Sequence, residues 1–139
     1  MSARRSSSTS PCGRPEALSR LAQATKFAEV AALCVDDPSD EALSHVAAAL
    51  AVLAGIAASD AACCAQLKQR PRGQDHREAE ALVVTLHPNG ADMAKYLGRL
   101  LNEKVNAQYG VMLVSPSTAK KMVGWAQHLI DFAGDALAA

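Results

Sequence analysis

SDEALSHVAAALAVLAGIAASDAACCAQLKQ, residues 39–69, is the stretch that decides the fold. It holds no proline and is dominated by alanine and leucine, the residues that lose least on entering a helix, so one long helix is predicted from Ser39 to Gln69. Asp37 or Ser39 can cap it, since each places a side-chain oxygen where the first helical N–H groups lack acceptors. Leu43, Val46, Leu50, Leu53, Ala57, Asp60, Cys64 and Leu67 fall at alternating steps of three and four, a heptad-like seam suited to bundle packing at shallow angles. Ala48, Ala51, Gly55, Ala58 and Ala62 form a second, small-residue strip. A helix apolar on two sides needs cover on both, so self-association is expected. Asp60 is the one charge on the seam. Either the helix bends near Gly55 and Asp60 reaches solvent or an arginine, or it is a buried acid in a functional pocket; inside the bundle, Arg99 is the expected partner.

Further helices are read on both sides. Residues 1–13 are Ser-rich and polar, predicting a disordered tail, and 14–139 a single domain. Pro15 suits a first helical position, and Phe27, Val30, Ala31 and Cys34 mark one face of a helix ending at Val35 before Asp36-Asp37-Pro38. After a basic loop, Asp75-His76-Arg77-Glu78 has the form of a capping box with Asp75 at N-cap, opening a third helix that stops before His87-Pro88-Asn89-Gly90. A fourth helix is predicted from Ala91 to Gln108, burying Met93, Leu97, Leu100, Leu101 and Val105. The apolar link Tyr109–Val114 has no strand partner. Ser115 then caps a last helix with Pro116 at its first position. The predicted fold is all-α: an up-and-down bundle of four main helices plus a shorter one.

Composition narrows function less than fold. The 139 residues carry 14 Lys+Arg against 14 Asp+Glu, which excludes a broad basic nucleic-acid surface and leaves no basic recognition helix for a helix-turn-helix, while a local basic site stays open. Four cysteines, two of them adjacent, do not read as a disulfide framework, so a reducing cytoplasm is the simpler expectation. No apolar segment follows Arg4-Arg5 as a secretory signal requires. The apolar run Val46–Ala58 is 13 residues, shorter than a span, so no membrane partner is expected.

Chemistry concentrates in Arg70-Pro71-Arg72-Gly73-Gln74-Asp75-His76-Arg77. At a first helical position the positive end of the helix favours neutral imidazole, so His76 can serve as a general base. Arg70, with Arg72, Asp75 and Arg77 as substrate-binding residues around that helix start, can hold a phosphate. Base beside phosphate clamp suits metal-independent RNA cleavage, in which the 2′-hydroxyl is deprotonated and cations steady the phosphorane. The same Pro, Gly and Arg content also makes an ordinary solvated loop. Cys63, Cys64, His76 and His87 have no pair spacing that places two ligands on one helical face, so neither a metal nor a cofactor is expected. His45 and His128 are isolated.

Three features together resemble the HEPN family of nucleotide-binding helical bundles. They are the Ala-rich helix ending Ala58-Ser59-Asp60-Ala61-Ala62-Cys63-Cys64 before a loop with a histidine at a helix start, the segment Lys104-Val105-Asn106-Ala107-Gln108-Tyr109, and the Ser115-initiated last helix. The segment is similar to Arg-x-x-Ala-Asp-Tyr in many members, with Lys104 in place of Arg and Gln108 in place of Asp. Arg70 and His76, five residues between them, match the family's Arg, four to six residues, His hallmark. The resemblance covers about residues 40–137. It implies an all-α homodimer whose two motifs meet at one cleft, binding RNA or nucleotide. It also implies, in active members, RNA cleavage without metal as toxins or defence effectors, with a cognate antitoxin or partner protein. Pro71 stands where active members commonly have a polar residue. The alternative expectation is a non-catalytic dimerisation or protein-interaction module.

Overall fold

Helix α2 (Glu41–Leu67) runs through the middle of the protein, walled by α1 (Arg14–Val35) on one side and α6 (Pro116–Ala138) on another. This is a computed structural model; it describes residues 9–37, 39–73 and 76–139, without the side chain of His76. The shorter helices α3 (His76–Val83), α4 (Gly90–Asn102) and α5 (Lys104–Tyr109) fill the remaining flank, α4 packing on α6 and α5 on α2. The all-α bundle read from the sequence is what the chain forms, with the expected fourth helix divided in two.

The buried face of α2 is its small-residue face. Ala47, Ala48, Ala51, Ala54, Ala58 and Ala62 are wholly inaccessible, whereas Val46 and Leu53, members of the expected seam, are 45% and 38% exposed. The physical reason is backbone approach: alanine and Gly55 let α1, α4 and α6 come close, and the dense contact so gained outweighs burial of a few larger side chains standing further out. The strip expected to seek a second copy is therefore covered within the chain. By length and composition α2 as a whole is long and apolar enough to cross a membrane, yet most of it is enclosed by protein.

Helix ends follow local chemistry. Asp40, rather than Asp37 or Ser39, caps α2, its carboxylate accepting from Ala42 N–H at 3.0 Å. Pro38 lies outside the described residues. Ser115 Oγ accepts from Thr118 N–H at 3.2 Å and Pro116 begins α6, as predicted. The expected continuous helix to Gln108 breaks at Glu103, whose N–H turns back to Leu100 and Leu101 carbonyls, and the reoriented α5 leaves Val105 67% exposed instead of buried.

The N-terminal tail needs correcting over its second half. Thr9–Pro11 form strand β1, antiparallel to β2 (Gln69–Pro71), with Ser10 opposite Arg70. Cys12 N–H donates to Lys68 carbonyl at 3.0 Å, and Cys12 is joined to Cys64 in a disulfide with Cα atoms 5.2 Å apart. Two cysteines that gave no sequence pattern are thus paired, because the left-handed Lys68 ends α2 and turns the chain back alongside residues 9–12. The cysteine argument for a reducing compartment loses its ground. Residues 1–8 lie outside the described residues.

Candidate functional site

Asp60 is the most deeply buried charge among the described residues, 6% exposed on α2. Its partner is not Arg99, whose guanidinium lies 5.7 Å from the ring centroids of both Tyr96 and Trp125. Arg20 of α1 takes that place: its Nη2 lies 2.9 Å from Asp60 Oδ2 and its Nε donates to the same oxygen at 3.1 Å. Arg70 approaches more loosely, Nη1 3.8 Å from Oδ2, with its side chain 41% exposed against 27% for Arg20. Asp60 thus reaches an arginine, as the first of its two readings had it, while staying buried beside a cavity.

A cavity of about 350 Å3 opens beside this cluster. Arg20, Arg70, Arg72 and Lys104, from α1, β2, the turn after it and α5, line it together with Asp60, which pairs with the first two. Leu53, Ile56, Leu97 and Leu101 supply an apolar wall, and Tyr109, 77% exposed, stands at the margin. A concave site with convergent polar groups over an apolar wall is the general form of a small-ligand pocket.

The expected site residues divide. Arg70 and Arg72 line the cavity; Arg77 is exposed on α3 and does not. His76 supplies the first residue of α3, six positions along the chain from Arg70, while its side chain and all of Asp75 lie outside the described residues. Arg20, Ser59 and Lys104 belong to the site and were not among the expected residues. No local spacing announces Arg20, which is 40 positions from Asp60; Lys104 and Tyr109 stood in the quoted Lys104–Tyr109 segment.

Burial raises the Asp60 carboxyl above the usual aspartate value, against the opposing pull of the Arg20 charge and hydrogen bond and of the Arg70 charge. A carboxyl held protonated more tightly when folded contributes stability that is complete below the unfolded value of about 3.9 and fades as pH rises through the folded one. Asp60→Asn removes that titration. The variant's stability relative to the parent is therefore expected to be more favourable at pH 7 than at pH 4, read from urea midpoints at both; the reverse order would mean the arginines, not burial, dominate Asp60.

The same burial, with the Asp60 charge adding to it, pushes the Cys63 thiol up to about 12. That removes Cys63 as a thiolate nucleophile at neutral pH. Among the described residues no three His, Cys, Asp or Glu gather as a metal site. His45 Nδ1 accepts from Val114 N–H at 3.1 Å, and His128 stacks on Tyr96 with ring centroids 4.7 Å apart. Both histidines serve packing between elements. Comparison with protein-family models gives no match for this chain, and a search of the curated proteins gives none.

Proposed function

We propose that this chain is a HEPN-like helical protein that binds RNA or a nucleotide in the Arg70 cavity and cleaves RNA without a metal. One observation carries the reading: Arg20, Arg70, Arg72 and Lys104 come from four separate segments to line a single cavity. In the proposed reaction His76 takes the proton of the ribose 2′-hydroxyl, that oxygen attacks the adjacent phosphorus while Arg70 balances charge on the phosphorane, and the P–O5′ bond breaks to leave a 2′,3′-cyclic phosphate and a 5′-hydroxyl that takes its proton from solvent. In the proposal Arg72 holds the phosphate, while Asp75 and Arg77 are retained as substrate-binding residues on the sequence reading alone. Arg20, fixed to Asp60, supplies a steady positive field at the cavity wall. A homodimer, and a toxin or defence role with a partner protein, are part of the same proposal.

Purified protein is expected to nick single-stranded RNA in EDTA. His76→Ala should abolish nicking, and Arg70→Ala should lower it by about a hundredfold or more, the scale of losing one charge-stabilising donor. Both variants should keep the parent's circular dichroism spectrum. Nicking that needs divalent metal, or survives in His76→Ala, overturns the mechanism.

The second reading is a non-catalytic interaction module. The exposed run Val111, Met112 and Leu113, with Val105 and Tyr109 beside it, favours it, since contiguous exposed apolar side chains mark contact surfaces. A parent protein that binds no RNA while Leu113→Asp changes its sedimentation would select this reading.

A further inference from the structure

A second, more open groove of about 490 Å3 lies along the β1–β2 ribbon, lined by Thr9, Ser10, Lys68, Gln69 and Arg72. Arg72 lines both this groove and the Asp60 cavity, so the two concavities are joined at one side chain. Their charge differs. The cavity holds the carboxylate of Asp60, which draws Arg20 and Arg70 to itself, whereas no carboxylate lines the groove among the described residues.

The polar groups of the groove are set to donate. Thr9 Oγ1 donates to Gln69 Oε1 at 2.8 Å, which takes up the amide oxygen and leaves the amide N–H groups as the end that can serve a ligand. Lys68 Nζ gives one N–H to the Ala65 carbonyl at 3.2 Å and keeps two. Lys68 and Arg72 are exposed and Gln69 is half-buried, so a ligand can reach all three. The negative end of α2 at this place is met from within the chain, by Lys68 on Ala65 and by Cys12 N–H on the Lys68 carbonyl.

We infer that this groove is a second phosphate subsite: single-stranded RNA with one phosphate in the cavity lays a neighbouring phosphate along the ribbon, on the Lys68 ammonium and the Gln69 amide, with Arg72 between the two. The inference rests on the RNA-binding reading of the cavity and extends it from one phosphate to a strand. Each phosphate neutralised releases condensed counterions, and a groove without a carboxylate has no resident anion to displace. The groove exists only while β1 lies on β2, a pairing continued by the Cys12–Cys64 bond.

The test uses a fluorescein-labelled single-stranded RNA decamer in EDTA, with anisotropy titrations over a range of salt and thermal melts of the free proteins. His76→Ala serves as the background, so that cleavage does not intrude. Lys68→Gln on that background should bind about tenfold more weakly at low salt, and its plot of log affinity against log salt should be flatter by about 0.7, the share of one phosphate contact on a single strand. Gln69→Glu keeps an oxygen for Thr9 but sets a like charge where the donor was, and should bind at least about tenfold more weakly. Both should melt with the background. Lys121→Gln, an exposed lysine of α6 that lines neither concavity, should leave affinity and slope unchanged. Losses in Lys68→Gln and Gln69→Glu no larger than in Lys121→Gln, with Arg70→Ala impaired, overturn the groove and leave the cavity reading standing. A Lys68→Gln loss with an unchanged slope would mean that Lys68 meets no phosphate, and overturns the inference too. Failure of the background protein to bind the RNA, or binding indifferent to Arg70, overturns the cavity reading and the inference together.

Discussion

Replacing Cys12 by Ser is expected to lower the unfolding free energy by about 4 kcal/mol, the chain-entropy value for a loop of this length. The bond joins residues 52 positions apart and encloses α1 and nearly all of α2, so its loss frees a long loop in the unfolded chain. Cys64, fully buried, would remain as a small apolar residue and add little cost of its own. Urea midpoints with and without a dithiol reductant give the comparison: the parent should fall to the variant's midpoint on reduction, and the variant should not respond. A parent indifferent to reduction would show that the pairing of β1 with β2, rather than the disulfide, holds the N-terminal strand.

The second large effect lies where α2, α4 and α6 meet. Leu100→Ala is expected to cost about 2–5 kcal/mol, because Leu100 is fully buried and the site around it is close-packed. Its partner in that packing is a missing atom. A Cβ on Gly55 would collide with Leu100 Cδ1 and lie 3.2 Å from Leu129 Cδ1. Gly55→Ala should cost about 1–3 kcal/mol from overpacking, reduced by roughly 1 kcal/mol of improved helix propensity. With Leu100 shortened, the added methyl has room, so the double variant should be more stable than the sum of the singles predicts by about 1 kcal/mol or more. Strict additivity would mean that Gly55 and Leu100 do not share the space the structure gives them.

What sequence reasoning could reach is visible in this junction. Proline, serine and aspartate placed the starts of α1, α2 and α6 within a few residues, since capping is settled by neighbours in the chain. The facing of α2 was not local. Apolar size pointed to Val46 and Leu53, whereas closeness of approach, a property of three helices at once, buried the alanines and Gly55. Cys12 and Cys64 gave no pattern because their meeting depends on the reversal at Lys68. The basic loop drew notice through its composition, and Arg70 and Arg72 do line the cavity; Arg20 joins them only through the docking of α1, which no spacing in the sequence encodes.

Asp60 gives the cavity a resident counter-ion. In the proposed binding an incoming anion would not meet an empty arginine pair; it would have to exchange with a carboxylate already seated, and the two arginines are held unequally. Arg20, at 2.9 Å, is held by a charge-assisted hydrogen bond and stays, while Arg70, at 3.8 Å and more exposed, can turn to the newcomer without leaving Asp60 uncompensated. One cation keeps the buried carboxylate neutralised and the other is lent out. Under that proposal the exchange would screen ligands by charge density: a weak monovalent anion would offer Arg70 little more than Asp60 already does, whereas a phosphate, with more charge and more oxygens, would offer more.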